Sequence, residues 1–167
     1  RVGDLPDSSL VSVRIADNRR LCVATPGYLQ RRGTPQHPTE LAQHDCLTLS
    51  SEASQTRGWA FRMPTEGGGA EVVHLKPGGP LDCSDGQVLY DWCLAGHGIA
   101  WRSTWEVESE VASGQLVAVL EDYAAPPNGI FVLFPQRKHL PLRVRLWIDH
   151  LRHHYEQPQF WKTGAPA

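Results

Sequence analysis

The 167-residue sequence predicts an α/β fold, and two observations carry that prediction. Segments with the apolar pattern of β-strands recur along the chain, and between them apolar residues repeat at helical spacing. The order strand, helix, strand, helix, strand in the second half is typical of α/β proteins and predicts largely parallel pairing. A hydrophobic fraction of 41% and a charged fraction of 20% exclude a wholly disordered chain.

The first third of the sequence predicts three strands and two short helices. Thr25 is the expected cap of a helix that starts at Pro26 and ends at Gly33. The polar link at residues 17–20 suits a hairpin between the first two strands. The strands are expected at residues 11–15, 21–24 and 46–49, and the second short helix at residues 38–43.

The middle of the sequence contains two capping boxes, in which a hydroxyl residue is followed three positions later by Glu or Gln. Ser84 with Gln87 predicts one helix start, with Ser84 as the cap, and Ser103 with Glu106 predicts another. Apolar runs bounded by turn residues predict the strands around them. The expected helices begin at these two boxes and end near residues 95 and 114, and the strands are 59–61, 71–75, 99–101, 116–120 and 130–134.

A last helix is predicted from about Pro141 to just before Pro158. Five apolar residues at helical spacing predict one buried stripe along it: Val144, Trp147, Ile148, Leu151 and Tyr155. The same helix carries three histidines, and a pair of them three or four residues apart could bind zinc: His150, His153 and His154. The segment is terminal and polar, so we favour a solvated helix end and predict neither a metal nor another cofactor.

Charge and hydropathy exclude two classes of protein. A domain that grips DNA by itself is usually basic, whereas here 18 Asp+Glu outnumber 16 Lys+Arg and the net charge is −2. No apolar run in the sequence is long enough to span a bilayer. No secretory signal is visible, and we expect a cytoplasmic protein with no membrane partner.

The cysteines and serines predict no catalytic centre. Cys22, Cys46, Cys83 and Cys93 lack the close pairing of a zinc site, and we expect free, mostly buried thiols in a reducing cytoplasm. The sequence has no Gly-x-Ser-x-Gly elbow and no recognisable pair of nucleophile and base. We therefore predict that this chain is not an enzyme.

Six segments, in one order and at one spacing, resemble a single family over about residues 1–151. They are RVGDLPDSSLV, LCVATPGYLQRRGTPQHPTELAQHDCL, WAF, LDCSDGQVLYDWCLAGHGIAWRSTW, SGQLVAVLEDY and IFVLFPQRKHLPLRVRLWIDHL. Each alone is a weak signal, but six in order are specific. On these segments the chain resembles the effector-binding domain of LysR-type transcriptional regulators.

The resemblance implies a two-lobed fold like that of type 2 periplasmic binding proteins, with an incomplete first lobe. Arg1 matches the middle of the family's first lobe, so the chain is expected to be N-terminally truncated and to lack the winged helix-turn-helix domain. Two crossing strands are expected near residues 23–25 and 130–134. The implied first lobe is 1–25 with 130–157, the second lobe is 26–129, and residues 158–167 form a tail.

The resemblance also implies a function. A small-molecule effector would bind between the lobes, and the regulator would contact DNA through the missing N-terminal domain and act as a homodimer or homotetramer. A ligand of this kind acts only through different affinities for two arrangements of the lobes. The runner-up is a free-standing solute-binding protein of the same fold, and an enzyme on this fold is the third alternative.

The effector is expected in the cleft, where strand ends and helix starts converge. The candidate contacts form three groups. Ser84 and Asp85 lie at a helix start, and two strand ends provide Ser50, Ser51, Trp101 and Arg102. Arg1 and Gly3 are taken from the resemblance alone. A helix start and Arg102 favour an anion and Trp101 favours a ring, whereas Asp85 repels negative charge, so a neutral ligand stays open. The structural alternatives are helix capping, an ordinary polar loop, a core Trp and a surface Arg.

Overall fold

The structure is a computed structural model and describes residues 10–50, 58–135 and 140–155. The strands of these ranges are β1 (Leu10–Asn18), β2 (Arg20–Ala24), β3 (Cys46–Leu49), β4 (Trp59–Pro64), β5 (Ala70–Leu75), β6 (Asp82–Cys83), β7 (Ile99–Ser103), β8 (Val117–Val119) and β9 (Asn128–Pro135). The α-helices are α1 (Pro26–Arg32), α2 (Gly86–Leu94), α3 (Thr104–Ala112) and α4 (Leu142–Tyr155), and two 3-10 helices span Pro38–Gln43 and Glu121–Tyr123. No helix in the described ranges has the length and apolar character needed to cross a membrane.

Five strands form the main sheet, in the order β6-β3-β7-β2-β8. β3 pairs in parallel with β6 and β7, and α2 is the crossover between those two strands. β2 runs antiparallel to both β7 and β8, so the predicted parallel pairing holds for only one half of the sheet. β2 is the strand of this described sheet that runs against the others, because β3, β6, β7 and β8 share one direction and both β7 and β8 pair antiparallel with β2.

The predicted hairpin at residues 17–20 is wrong. β1 pairs antiparallel with β9 in a separate two-stranded sheet, while β2 continues the chain into the five-stranded sheet. Only Arg19 separates the two strands, and no residue of the link has the positive φ angle that tight hairpin turns require. The buried Asn18 closes the ladder, because its Nδ2 donates to Oδ1 of Asn128 at 3.0 Å.

The buried apolar residues form two clusters that share the strands of the main sheet. Cys22 and Ala24 of β2 belong to one cluster, and Leu21 and Val23 belong to the other. Successive side chains of a strand point to opposite faces, so the two clusters are the two faces of one sheet. Tyr28 of α1 and Phe61 of β4 extend the first cluster, and residues of α2 and α3 extend the second.

The helix at the end of the described chain packs against β1 through a narrower stripe than the sequence predicts. Ile148 is buried and Val144, Leu151 and Tyr155 are half-buried, but Trp147 is 55% exposed. The prediction that Trp147 faces inward is therefore wrong. A two-stranded sheet is too narrow to cover a wide apolar stripe, so one side of the stripe stays exposed.

The starts of the helices follow two of the three predicted caps. Thr25 Oγ1 accepts from the backbone N of Tyr28 at 3.3 Å, and Ser103 forms the expected capping box with Glu106. The cap of α2 is Asp85 and not Ser84, and the helix starts one residue later than the capping box predicts. Gln87 turns away from the cap, because its side-chain amide donates to Asp91 Oδ1 at 3.0 Å.

Candidate functional site

A cavity of about 480 Å³ lies at one edge of the main sheet, within the size range of small-molecule sites. It is bounded by residues 47–50 at the end of β3, by the start of α2, and by the end of β7. β3 and β7 are parallel, so their carboxyl ends meet at this edge, which is where ligands bind in open α/β sheets.

The loop at residues 76–79 closes one side of the cavity because a glycine lets it approach β3. A Cβ atom at Gly79 would lie 2.1 Å from the carbonyl oxygen of Cys46, so no larger residue fits there. The backbone N of Cys46 donates to the carbonyl of Gly78 at 3.4 Å, which holds the loop beside the strand.

Two arginines from neighbouring strands face this cavity. Arg20 begins β2, and Arg102 lies on β7, opposite Leu21 in the ladder. Arg102 Nη2 forms a salt bridge with Glu106 Oε1 at 3.1 Å, and the two side chains are only 12% and 23% exposed. The Nε atoms of both arginines are buried and have no hydrogen-bond acceptor among the described residues. A buried donor without an acceptor is destabilising, so both side chains are held in place at some cost in stability.

An aromatic pair holds Arg20 in place. Its guanidinium lies over the Trp101 ring at 4.6 Å from the centroid, and Trp101 stacks with Trp59 at 6.3 Å and 17° between planes. Burial lowers the pKa of Arg20, the charge of Glu106 raises it, and the charge of Arg102 lowers it further. Trp101 thus positions a cation, and part of its ring is already in contact with Arg20 and Trp59.

Arg102 also lies against the start of α2. A Cβ atom on Gly86 would be 3.2 Å from both terminal nitrogens of the Arg102 guanidinium. The positive end of the helix dipole and a guanidinium therefore meet at the cavity wall, which favours negative charge. Asp85 Oδ1 already accepts from the backbone N of Gln87 at 2.7 Å and of Val88 at 3.3 Å, so those two donors are engaged within the helix.

The cavity contains some of the predicted site residues and lacks others. Ser50, Trp101 and Arg102 line it, whereas Ser84 and Asp85 lie beside it and the neighbouring Gly86 is the lining residue. Ser51, Arg1 and Gly3 lie outside the described residues. Sequence reasoning missed the other lining residues, among them Arg20, Trp59 and Glu106.

The missed residues had other assignments in the sequence. Arg20 was placed in a hairpin link, and Glu106 was assigned only to a capping box. The signal for Glu106 was the capping box itself, because that box brings the Glu106 side chain back to the end of β7, where it meets Arg102. Over residues 10–50, 58–135 and 140–155, no group of three or more His, Cys, Asp or Glu is placed to hold a metal, and His150 and His154 stack at 6.2 Å.

The sequence profile of the LysR substrate binding domain matches residues 1–156. The chain belongs to this family. It is 33% identical over 157 residues to the transcriptional regulator DmlR of Escherichia coli, covering 94% of this chain and 49% of that protein. It is 33% identical over 153 residues to the E. coli transcriptional activator TtdR, covering 90% of this chain and 47% of that protein. This LysR domain thus spans about half the length of the curated relatives it matches.

Solved structures of the family agree with the observed fold. The regulatory domain of CrgA from Neisseria meningitidis, a LysR-type regulator, has a TM-score of 0.72 at 30% identity, over 90% of this chain and 71% of that one. The full-length virulence activator AphB of Vibrio cholerae has a TM-score of 0.70 at 29% identity, over 93% and 50%. The periplasmic-binding-protein-like α/β fold and the family expected from the sequence are confirmed. The relatives named here are transcriptional regulators, which favours the regulator over a free-standing solute-binding protein.

Proposed function

We propose that this LysR domain senses a small molecule for a DNA-binding transcriptional regulator, and that the effector binds in the cavity between Arg20 and Arg102. The observation that carries the proposal is a cavity of ligand size at the edge where the carboxyl ends of the parallel strands β3 and β7 meet, with two arginines from neighbouring strands in its lining.

The two sheets suggest how binding is transmitted. We assign β1, β9 and α4 to a first lobe and the five-stranded sheet to a second lobe, with β2 in the second because it pairs there. Arg20 lines the cavity and is the first residue after the single-residue link between β1 and β2. An effector bound to Arg20 therefore acts next to the point where the chain passes between the sheets, and it can favour one lobe arrangement over another.

The rest of the regulator lies outside this chain. The net charge of −2 supports a domain that leaves DNA contact to another part of the protein, as a winged helix-turn-helix upstream would provide. We expect a cytoplasmic homodimer or homotetramer, in which a change of lobe angle reorients the DNA-binding domains. A reporter gene under a promoter that the regulator controls, assayed with and without effector, measures this change in transcription.

The domain is proposed to sense and not to catalyse. Burial raises the pKa of the Cys22 thiol well above its ordinary value, and it raises the pKa values of Cys46 and Cys93 to about 12. Activated cysteines have lowered pKa values, so these three thiols are inert. A turnover rate lost on replacing a single Cys or Ser, with folding intact, would overturn this part of the proposal.

A thermal-shift screen of metabolites against the full chain tests the effector site. A true effector raises the melting temperature as its site fills. At a ligand concentration 100 times the dissociation constant, the free energy of unfolding rises by about 2.7 kcal/mol. Ser50→Trp fills the cavity from its lining and should abolish that shift. Ser113→Trp, on the exposed end of α3, is the matched control and should leave the shift intact. A shift that survives Ser50→Trp would place the effector elsewhere.

A further inference from the structure

A second cavity, of about 590 Å³, lies where the two sheets meet, and we call it the junction cavity. Part of its lining comes from β1 and α4, through residues 15–17 and Tyr155, and part comes from α3, through Thr104 and Glu108. Arg19, the single residue between β1 and β2, also lines it. Its volume is within the range of small-molecule sites.

The junction cavity is separate from the effector cavity proposed above, because the two share no lining residue among those described. Neighbouring side chains serve different cavities. Arg20 lines the effector cavity and Arg19 lines the junction cavity, and on α3 the same is true of Glu106 and Glu108. Residues two apart on a helix do not face the same side, so α3 presents one carboxylate to each cavity. The backbone N of Thr104 donates to the carbonyl of Arg19 at 2.9 Å, which holds α3 to the link.

The lining of the junction cavity carries separate charges of both signs. Arg19 is its cation, and Asp17 and Glu108 are its carboxylates. Asp17 Oδ1 is already in a salt bridge with Arg14 Nη2 at 2.6 Å. In the ranges 10–50, 58–135 and 140–155, no ion pair includes the side chain of Arg19 or Glu108. These two charges are thus available to a ligand that carries one charge of each sign.

The rest of the lining is mainly apolar. Ile15 is buried, Ala16 and Tyr155 are half-buried, and Pro127 lies exposed at the rim. Such a surface favours a ligand with an apolar group that leaves water on binding. A simple acid would meet the Glu108 carboxylate, and a simple amine would meet the Arg19 guanidinium. Each would therefore gain one attraction at the cost of one repulsion.

We propose that the junction cavity binds a small zwitterion, an α-amino acid with an apolar side chain. Its carboxylate pairs with Arg19, its ammonium group pairs with Glu108, and its side chain packs on Ile15 and Ala16. The bound molecule contacts both β1 of the smaller sheet and α3, which follows β7 of the main sheet. It therefore favours the arrangement of the two sheets in which both sets of contacts are within reach.

An NMR titration of the full chain at low ionic strength tests the proposal, with the backbone N–H signals of Ala16 and Thr104 as reporters. The probes are L-leucine, 4-methylpentanoate, which lacks the ammonium group, and 3-methylbutylamine, which lacks the carboxylate. We expect leucine to shift both signals with saturation and to bind about 3- to 10-fold more tightly than either analogue. This range lies between the effects of exposed charge pairs and of hydrogen bonds to buried charged groups.

Two variants separate the roles of the charged residues. Arg19→Gln should weaken the binding of leucine and 4-methylpentanoate but not that of 3-methylbutylamine, because only the carboxylate partner is lost. Glu108→Gln should weaken the binding of leucine and 3-methylbutylamine but not that of 4-methylpentanoate. The charge-matched controls are Arg143→Gln and Glu121→Gln, at exposed positions outside both cavities, and they should bind leucine as the wild type does.

Several outcomes overturn the inference. They are no saturable shift of either reporter with millimolar leucine, equal binding of the three probes, and unchanged leucine binding in both Arg19→Gln and Glu108→Gln. Loss of leucine binding in Ser50→Trp also overturns it, because that replacement fills only the effector cavity. If a variant fails to fold, the three probes with the wild type still decide.

The two proposed sites fail separately. An effector whose thermal shift survives Ser50→Trp refutes the effector cavity and leaves the junction cavity standing. If leucine binds neither reporter region while Ser50→Trp abolishes an effector's thermal shift, the junction cavity is refuted and the proposed function stands.

Discussion

The five-stranded sheet and the two-stranded sheet of β1 and β9 differ in how completely they are covered. Both faces of the larger sheet carry a buried apolar cluster, and the arginine pair lies at its edge. Among the described residues of the smaller sheet and α4, only two apolar residues are buried, Ile15 and Ile148. Three large apolar side chains of α4 are exposed, namely Leu142, Leu146 and Trp147.

The difference indicates which part of the molecule is rigid and which part can move. A sheet packed on both faces holds side chains in fixed rotamers, which suits the Arg20, Arg102 and Glu106 cluster. An element with few buried apolar contacts opens at lower free energy, which suits the part of the molecule that must move. Four measurements can break or sharpen this comparison.

The largest expected effect is a contrast between two leucines. Leu116→Ala, in the cluster that contains Val107 and Leu89, should lower the free energy of unfolding by about 2–5 kcal/mol, because it leaves a cavity in a packed core. Leu146→Ala, at a position 58% exposed on α4, should change it by less than about 0.5 kcal/mol. Urea unfolding measures both. Equal losses would show that α4 is packed as tightly as the main sheet.

A smaller effect is expected where the two sheets join. Asn18→Ala removes the bond from Asn18 Nδ2 to Asn128 Oδ1 at a position that is buried, and should cost about 1–3 kcal/mol. A double-mutant cycle with Asn128→Ala checks the coupling, since the second replacement should then add little. Fully additive losses would mean that the two asparagines act independently.

The cap of α2 gives an effect of about 1 kcal/mol. Asp85→Ala should lower stability by about 0.5–2 kcal/mol, because Gln87 N and Val88 N lose their acceptor. Ser84→Ala should change stability by no more than a few tenths of a kcal/mol, about what a surface replacement causes. Chemical unfolding of the two variants decides which residue caps the helix, and a larger loss for Ser84→Ala would contradict the structure.

The smallest effect is a pH dependence at His44. Burial and the charge of Arg32 lower the pKa of His44, which lies 3.2 Å from Tyr28 Oη through Nδ1. The folded state therefore binds fewer protons than the unfolded state below about pH 6.5, the ordinary histidine value. The stability from neutral His44 is complete above that pH and is lost as pH falls through the lower folded pKa. The free energy of unfolding, measured from pH 7.5 down to 5.0, should fall less steeply in His44→Gln than in the wild type.

Much of the secondary structure was predictable because its signals are local. The strand at Cys46–Leu49 and the helix from Pro26 to its end at Gly33 lie where apolar runs, capping residues and glycine predict them. The capping box at Ser103 is equally local, since cap and partner are three residues apart. The choice of Asp85 over Ser84 was not predictable, because both are good caps and one residue separates them.

The candidate site was predictable only in part. Trp101 and Arg102 were found because they end a strand in a recognisable segment, and Ser50 because it follows β3. Arg20 was missed because the link before it reads equally well as a turn. Its position beside Arg102 depends on the pairing of β2 with β7, between residues about 80 positions apart in sequence.

The sequence by itself determined the family, the α/β class and most element boundaries, because these follow from short-range patterns of apolar, capping and turn residues. Tertiary structure decided that β1 pairs with β9, that Trp147 stays exposed, and that Arg20, Arg102 and Glu106 meet at one cavity. These outcomes depend on strand partners and on the width of the surface available to each helix. Such long-range choices are settled by burial and by hydrogen bonding across the whole molecule, which no local pattern encodes.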